Sequence, residues 1–197
     1  MKFLEECCTI TLLDEQLLLN SNPFDCGDFD LNHFFREDAV FYSEELLGKT
    51  YCYLLDQCPS VIVCAFTLSN DSIKVRYLPN SRKKKVNRNI PRTKQYKSYP
   101  AVLLGRLGVN RDYINKGIGH ELINFIKTWF IEPMNKTGCR FLVVDAYNQD
   151  DTLRFYLNNG FEYIFSTEEQ EREFSGITAF DILSTRSMYF DLKTMIP

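Results

Sequence analysis

The sequence predicts an α/β fold with a mixed sheet, on three observations. A long apolar strand, Ala101 to Val109, feeds a glycine-bearing turn from which a helix starts at Gly117. A nearly continuous apolar run, Cys139 to Ala146, has the character of a strand buried on both faces. After it the pattern goes helix, strand and final strand, the alternation that builds helices onto a sheet. The 197 residues, 45% hydrophobic and 25% charged, are enough for a single domain spanning 1–197 with its own core, and this mixture excludes wholesale disorder.

The elements follow in order. Cys8 to Leu13 is the first strand. After a polar break at Asn20-Ser21-Asn22-Pro23, Asp28 is the N-cap of a helix from Phe29, in which Leu31, Phe34 and Phe35 share a face. Ser43 to Leu47 reads as a helical turn ending at Gly48. Lys49 to Leu55 and Val61 to Leu68 are strands, joined by a hairpin through Asp56-Gln57-Cys58-Pro59-Ser60. Within 101–109, Gly105 and Gly108 mark a bulge or the close approach of a ligand. The helix from Gly117 has one broad apolar face, Ile118, Leu122, Ile123, Ile126, Trp129 and Phe130, and Pro133 ends or kinks it. Asp151 or Thr152 opens the next helix, Leu153, Tyr156 and Leu157 lie at helical spacing, and Asn159-Gly160 closes it. Phe161 to Phe165 is a strand, 166–184 is a polar insertion, and Thr185 to Leu192 is the last strand.

Composition narrows the function classes. Seven cysteines, an odd number without a C-x-x-C pair, point to reduced thiols rather than a disulfide framework. With only His33 and His120 in the chain, no metal site is expected, and His33 reads as a surface or half-buried residue. No apolar run is long enough to span a membrane and the N-terminus turns acidic at once, so a cytoplasmic protein is expected.

One segment departs from the average. Residues 70–99 hold ten basic residues and one acid, a net charge of +9 in a chain whose total is −3. Tyr77, Tyr96 and Tyr99 are interleaved. Two readings stand side by side: a solvated, partly disordered charged loop, or a basic insertion that binds phosphates, with Arg82, Lys83, Lys84, Lys85, Arg88 and Arg92 as candidate nucleic-acid contacts.

Two motifs carry the chemistry. Ile114-Asn115-Lys116-Gly117-Ile118-Gly119-His120 is a glycine turn at a helix N-terminus, where peptide N–H groups and the helix dipole favour a pyrophosphate. Further on stands Phe155-Tyr156-x-x-x-Gly160-Phe161. Together they resemble the GNAT superfamily of acyl-CoA N-acyltransferases, whose pyrophosphate turn has the pattern Q/R-x-x-G-x-G/A. Ile114 departs from it at the first position, which removes one polar contact and leaves the backbone cradle.

The resemblance implies the GNAT fold, with splayed central strands and helices on both faces, and acetyl-CoA as cosubstrate. It implies that Leu107, Gly108 and Val109 line the pantetheine arm through backbone groups, and that Asn148, Thr152 and Phe155 contribute to the cofactor site. Val109 N–H would hold the oxyanion and Tyr156 would protonate the leaving thiolate. No general base is singled out; Asp145, Asp112 and a water chain stay open. The string Phe24-x-Cys26-Gly27-x-x-x-Leu31-x-x-Phe34, with Leu104-Gly105-Arg106-Leu107-Gly108-Val109, is similar to the GNAT toxins of toxin–antitoxin pairs. That similarity implies aminoacyl-tRNA as acceptor and an antitoxin protein as partner; a homodimer is compatible with it. Two alternatives remain: an acetyltransferase for a small amine or a protein N-terminus, and a non-catalytic acyl-CoA- or RNA-binding protein.

Overall fold

In the computed structural model, residues 2–93, 96–178 and 181–196 are described; Lys94, one of the ten basic residues, and Ala179 and Phe180 of the polar segment lie outside them. The contacts group the chain into two units, Met1–Ser69 with Leu104–Trp129 and Asn70–Leu103 with Phe130–Pro197.

In the first unit the strands β1 (Cys8–Leu12), β2 (Lys49–Leu55), β3 (Cys58–Ile73) and β4 (Tyr99–Val109) are hydrogen-bonded in that order, β1 and β2 antiparallel and β2 and β3 antiparallel. The β2–β3 hairpin turns at Asp56-Gln57, tighter than the sequence suggests, so Cys58, Pro59 and Ser60 already belong to β3. Alternation along β2 sets the two faces. Cys52 joins Leu13, Phe24, Phe34, Phe35, Ala39, Ile62 and Ala65 in one core. Tyr51 and Tyr53 turn the other way, against Trp129 at 5.0 Å and Phe125 at 5.6 Å between ring centroids. Those rings belong to α6 (Ile118–Ile131), which stops before Pro133 as expected.

Short helices precede β2: α1 (Phe3–Cys7), α2 (Glu15–Asn20) and α3 (Phe29–His33), the last continuing through a π-helical turn, Phe34–Asp38, into α4 (Ala39–Glu44). Asp28 is the N-cap of α3, its carboxylate accepting the Leu31 N–H at 2.9 Å. The run ends earlier than the expected Gly48, with Leu46 in the left-handed region at φ 58°. Gly48 serves close packing instead, because a β-carbon there would meet Tyr42 Cε1 at 2.6 Å and the Leu68 carbonyl at 2.9 Å.

In the second unit the order is β4-β5-β7-β6, with β5 (Phe141–Tyr147), β6 (Glu162–Tyr163) and β7 (Thr185–Asp191). β4 and β5 are parallel and pair over three positions, Ala101–Leu103 with Phe141–Val143. The other two pairings are antiparallel. α7 (Asp150–Asn158) starts from Gln149 rather than from Asp151 or Thr152 and closes on Gly160 at φ 78°. The strand expected over 161–165 is confined to β6, since Phe161 and Phe165 are drawn into ring contacts with Phe190 and Phe174.

The basic segment is folded. It continues β3 to Ile73, forms α5 (Asn80–Val86) and re-enters the sheet at Tyr99. Ile73, Val75, Leu78, Val86 and Tyr99 are buried with Phe141, Val143, Phe165 and Tyr189 in one apolar cluster. Each such side chain contributes roughly 1.5–3 kcal/mol of burial, which is enough to order a segment whose remaining residues are charged. Hence the disordered-loop reading of 70–99 does not hold for its described residues.

Candidate active site

In the first unit the glycine turn is built by backbone conformation. After β4, a 3-10 turn at Arg111–Tyr113 leads to Ile114; Asn115 (φ 63°) and Gly117 (φ 78°) then both take left-handed angles immediately before α6. A β-carbon on Gly117 would meet no atom within 4 Å, so the glycine answers to its backbone angle and faces open space. The first N–H groups of α6 have no intrahelical acceptor and carry the positive end of the helix dipole. Such a concavity of peptide donors suits a phosphate group. Ile114, Asn115, Lys116, Gly117 and His120 are exposed, Gly119 is half-buried, and the Ile118 side chain is buried in the core, leaving only its backbone toward a ligand. Lys116 folds back: its ammonium donates to the Asp112 carbonyl at 2.6 Å and lies 4.8 Å from the Tyr113 ring centroid. The acid in the first turn of α6, Glu121, accepts the N–H groups of Leu4 (2.8 Å) and Glu5 (3.2 Å) and so caps α1.

The end of β4 is held just as closely. Asn110 N–H donates to the Val63 carbonyl at 2.9 Å and its side-chain amide to the Ile62 carbonyl at 3.0 Å. Gly108 is buried; a β-carbon on it would stand 3.2 Å from Cys26 Cβ, Cys26 Sγ and Phe24 Cε1. Its close neighbour is therefore the Phe24–Gly27 loop. Gly105, by contrast, would have no atom within 4 Å of a β-carbon. Leu107 and Val109 are half-buried. The loop is organised by Asp25, whose carboxylate accepts from the Gly27 N–H (2.9 Å) and the Asn32 amide (2.7 Å) and pairs with Arg111 (3.1 Å). Those partners, the Gly27 N–H foremost, hold the Asp25 carboxyl below its usual range, while burial pushes the Cys26 thiol up.

In the second unit Tyr156 sits on α7, 7% exposed, with the rings of Phe155 and Phe161 at 5.1 and 5.3 Å. Burial pushes its hydroxyl well above the ordinary tyrosine value, so it is protonated throughout the physiological range. Thr152 is half-buried in the first turn of α7. Asn148 is engaged within the protein: its N–H donates to the Ser184 carbonyl (2.9 Å), its amide to the Leu183 carbonyl (3.0 Å) and to Glu168 (3.2 Å). Of the two candidate bases, Asp145 is exposed and accepts the Ser187 hydroxyl at 3.0 Å, and Asp112 is exposed in the first unit.

Of the basic candidates in this unit, Lys84, Arg88 and Arg92 are exposed, Arg82 and Lys83 are half-buried, and Lys85 forms an ion pair with Glu162. Charge-pattern reading missed a buried network in the polar segment. Glu171 on α8 (Glu168–Ser175) is 2% exposed and takes the Arg186 guanidinium at 2.7 Å, and Arg172 pairs with Glu168 at 3.1 Å. It also missed Lys127 on α6, 5% exposed, whose ammonium burial lowers to about 8. A basic residue one position after Ile126 on an otherwise apolar face was the available signal. No group of metal-ligating side chains occurs among the described residues, and none of the helices is long and apolar enough to cross a membrane.

The fold is shared with known proteins. Residues 87–163 match the family model described as Acetyltransferase (GNAT) domain. Among solved structures, a tyrosine-to-phenylalanine mutant of KacT is similar over 96% of this chain and 98% of its own, at 21% identity and a TM-score of 0.69. AtaT complexed with acetyl-methionyl-tRNAfMet is similar over 95% and 96%, at 21% identity and 0.64. A mutant AtaT toxin bound to the C-terminus of the antitoxin AtaR and acetyl-CoA is similar over 96% of both chains, at 17% identity and 0.60. This chain has the fold of the GNAT acetyltransferases, and residues 87–163 are similar to their domain model.

Proposed function

We propose that the protein moves an acetyl group from acetyl-CoA to a primary amine by direct attack, with the α-amine of an aminoacyl-tRNA as acceptor. The observation that carries this reading is the 114–119 turn: two left-handed residues, open space beyond Gly117, and the start of α6. Its peptide donors fit the pyrophosphate of coenzyme A, and Leu107, Gly108 and Val109 offer backbone to the pantetheine arm. Ile114 in place of a polar residue weakens coenzyme binding without removing it.

The chemistry asks little of side chains. The amine nitrogen attacks the thioester carbonyl, a C–N bond forms and the carbonyl electron pair moves to oxygen, where the Val109 N–H holds it. Collapse breaks the C–S bond; the Tyr156 hydroxyl gives its proton to the departing sulfur and recovers one from the ammonium through water. The Tyr156 hydroxyl is protonated at neutral pH, the state a donor needs, as an ordinary tyrosine also is. An α-amine in an aminoacyl ester has a depressed pKa, so a neutral nucleophile is available without a strong base.

Support for the tRNA acceptor comes from the basic segment, through the exposed Lys84, Arg88 and Arg92, and from the likeness to AtaT complexed with acetyl-methionyl-tRNAfMet. Arg82 is half-buried and Lys85 is shared with Glu162, so both offer less. Likeness to a toxin bound to its antitoxin makes a small antitoxin the expected protein partner. The test is incubation with labelled acetyl-CoA and a charged tRNA pool. Label in the tRNA fraction is the expected result. Label on a polyamine or peptide with tRNA left unlabelled points to a small-amine or N-terminal acetyltransferase, and coenzyme binding without any transfer to a non-catalytic protein.

A further inference from the structure

The geometry points to Asn32 and Asp25 as positioning residues that hold the Val109 peptide, through the Phe24–Gly27 loop, where it receives the oxyanion. The inference rests on the proposed role of Val109 and goes beyond it. All of its parts lie in the first unit.

The peptide in question is bounded on both sides. Before it, Gly108 lies within van der Waals reach of Cys26 and Phe24. Phe24 is 3% exposed and meets Phe35 edge-on at 5.5 Å, so the loop is anchored in the core. After it, Asn110 is tied twice to β3, and the Arg111 N–H donates to the Asp25 carbonyl at 2.9 Å. One loop therefore meets the chain before Val109, at Gly108, and after it, at Arg111.

Asn32 sets the shape of that loop. Its carbonyl oxygen accepts the Cys26 N–H at 2.8 Å and the Cys26 thiol at 3.2 Å, while its amide donates to Asp25 at 2.7 Å. Asp25 then takes the Gly27 N–H and the Arg111 guanidinium. Gly27 has φ 89°, which only glycine adopts readily, and a β-carbon there would stand 3.2 Å from Arg111 Nε. A chain of polar contacts thus runs from α3 to the residue two positions beyond Val109. An oxyanion donor works only when aimed before the charge develops, and a displacement of a few tenths of an ångström to 1 Å costs on the order of tenfold to a hundredfold in rate.

The test uses the full-length chain with Asn32→Ala and, separately, Asp25→Asn. Steady-state acetyl transfer is measured alongside coenzyme A binding by calorimetry and amide hydrogen exchange at Val109. The expected result is a kcat about tenfold lower with the KM for acetyl-CoA within about twofold of wild type, and faster exchange at Val109 than in wild type. Unchanged kcat and unchanged exchange overturn the inference, and so does a rate loss matched by an equal loss of coenzyme binding. A wild-type protein that binds coenzyme A and transfers nothing sinks the functional reading; the Val109 exchange rates then still decide whether Asn32 holds that peptide.

Discussion

Gly108 faces Cys26 where the end of β4 meets the loop before α3: a β-carbon at position 108 would stand 3.2 Å from both Cβ and Sγ of Cys26. The glycine is required by a neighbour remote in sequence, so its replacement acts through the loop.

Gly108→Ala is expected to lower kcat about tenfold, because a contact this close displaces the strand by a few tenths of an ångström. Cys26→Gly in the same chain removes two of the three close atoms and should recover part of the loss; steady-state kinetics on the two single variants and the double variant measure the coupling.

Tyr156→Phe keeps the ring contacts with Phe155 and Phe161 and removes only the proton donor. Transfer should fall by about 10²–10⁴ while coenzyme A binds within about twofold of wild type by calorimetry. An unchanged rate would remove Tyr156 from the mechanism.

Lys127 gives a pH signature. Its folded value of about 8 lies below the ordinary lysine value of 10.5, and burial is the cause. Between those two values the unfolded chain binds the proton that the folded chain has lost, so this residue makes stability rise with pH across that window. Cys8, pushed up to about 11 by burial, acts with the opposite sign above pH 9. Subtracting the thermal midpoints of Lys127→Met from those of wild type isolates the lysine: the difference should move in favour of wild type from pH 7.5 to pH 10.

Breaking the Glu171–Arg186 pair leaves a charge buried without its partner. Glu171→Ala should destabilise the protein by about 3 kcal/mol in denaturant titration, whereas removing the exposed Lys2–Glu5 pair with Glu5→Ala should leave the midpoint almost unmoved.

If tRNA is held by the basic segment, Lys84→Ala with Arg88→Ala should weaken binding and flatten the dependence of log affinity on log salt by about 1 for each phosphate contact removed. Binding with an unchanged salt slope would place the phosphate contacts elsewhere.

Much of the sheet was legible because strands announce themselves by local pattern. Alternation gave β2 and β7, the apolar run gave β5, and Asp28 and Gly160 marked their helix ends by their own chemistry. What stayed hidden is non-local. Ile73, Val75, Leu78, Val86 and Tyr99 are scattered among ten basic residues, so the core they form is invisible to a charge count. Glu171 reads as one more acid of a polar helix until Arg186 comes to meet it. In the candidate site, the glycine turn was legible from its own residues, whereas the partners of Asn148, Leu183 and Glu168, depend on tertiary structure and were not.

The most direct measurement is transfer of label from acetyl-CoA to a charged tRNA pool by the wild-type chain, run beside Tyr156→Phe. The account predicts label in the tRNA fraction, recovered as N-acetylated amino acid after ester hydrolysis, with little or none for the variant. Coenzyme binding with no acetyl transfer to tRNA, polyamine or peptide would contradict it.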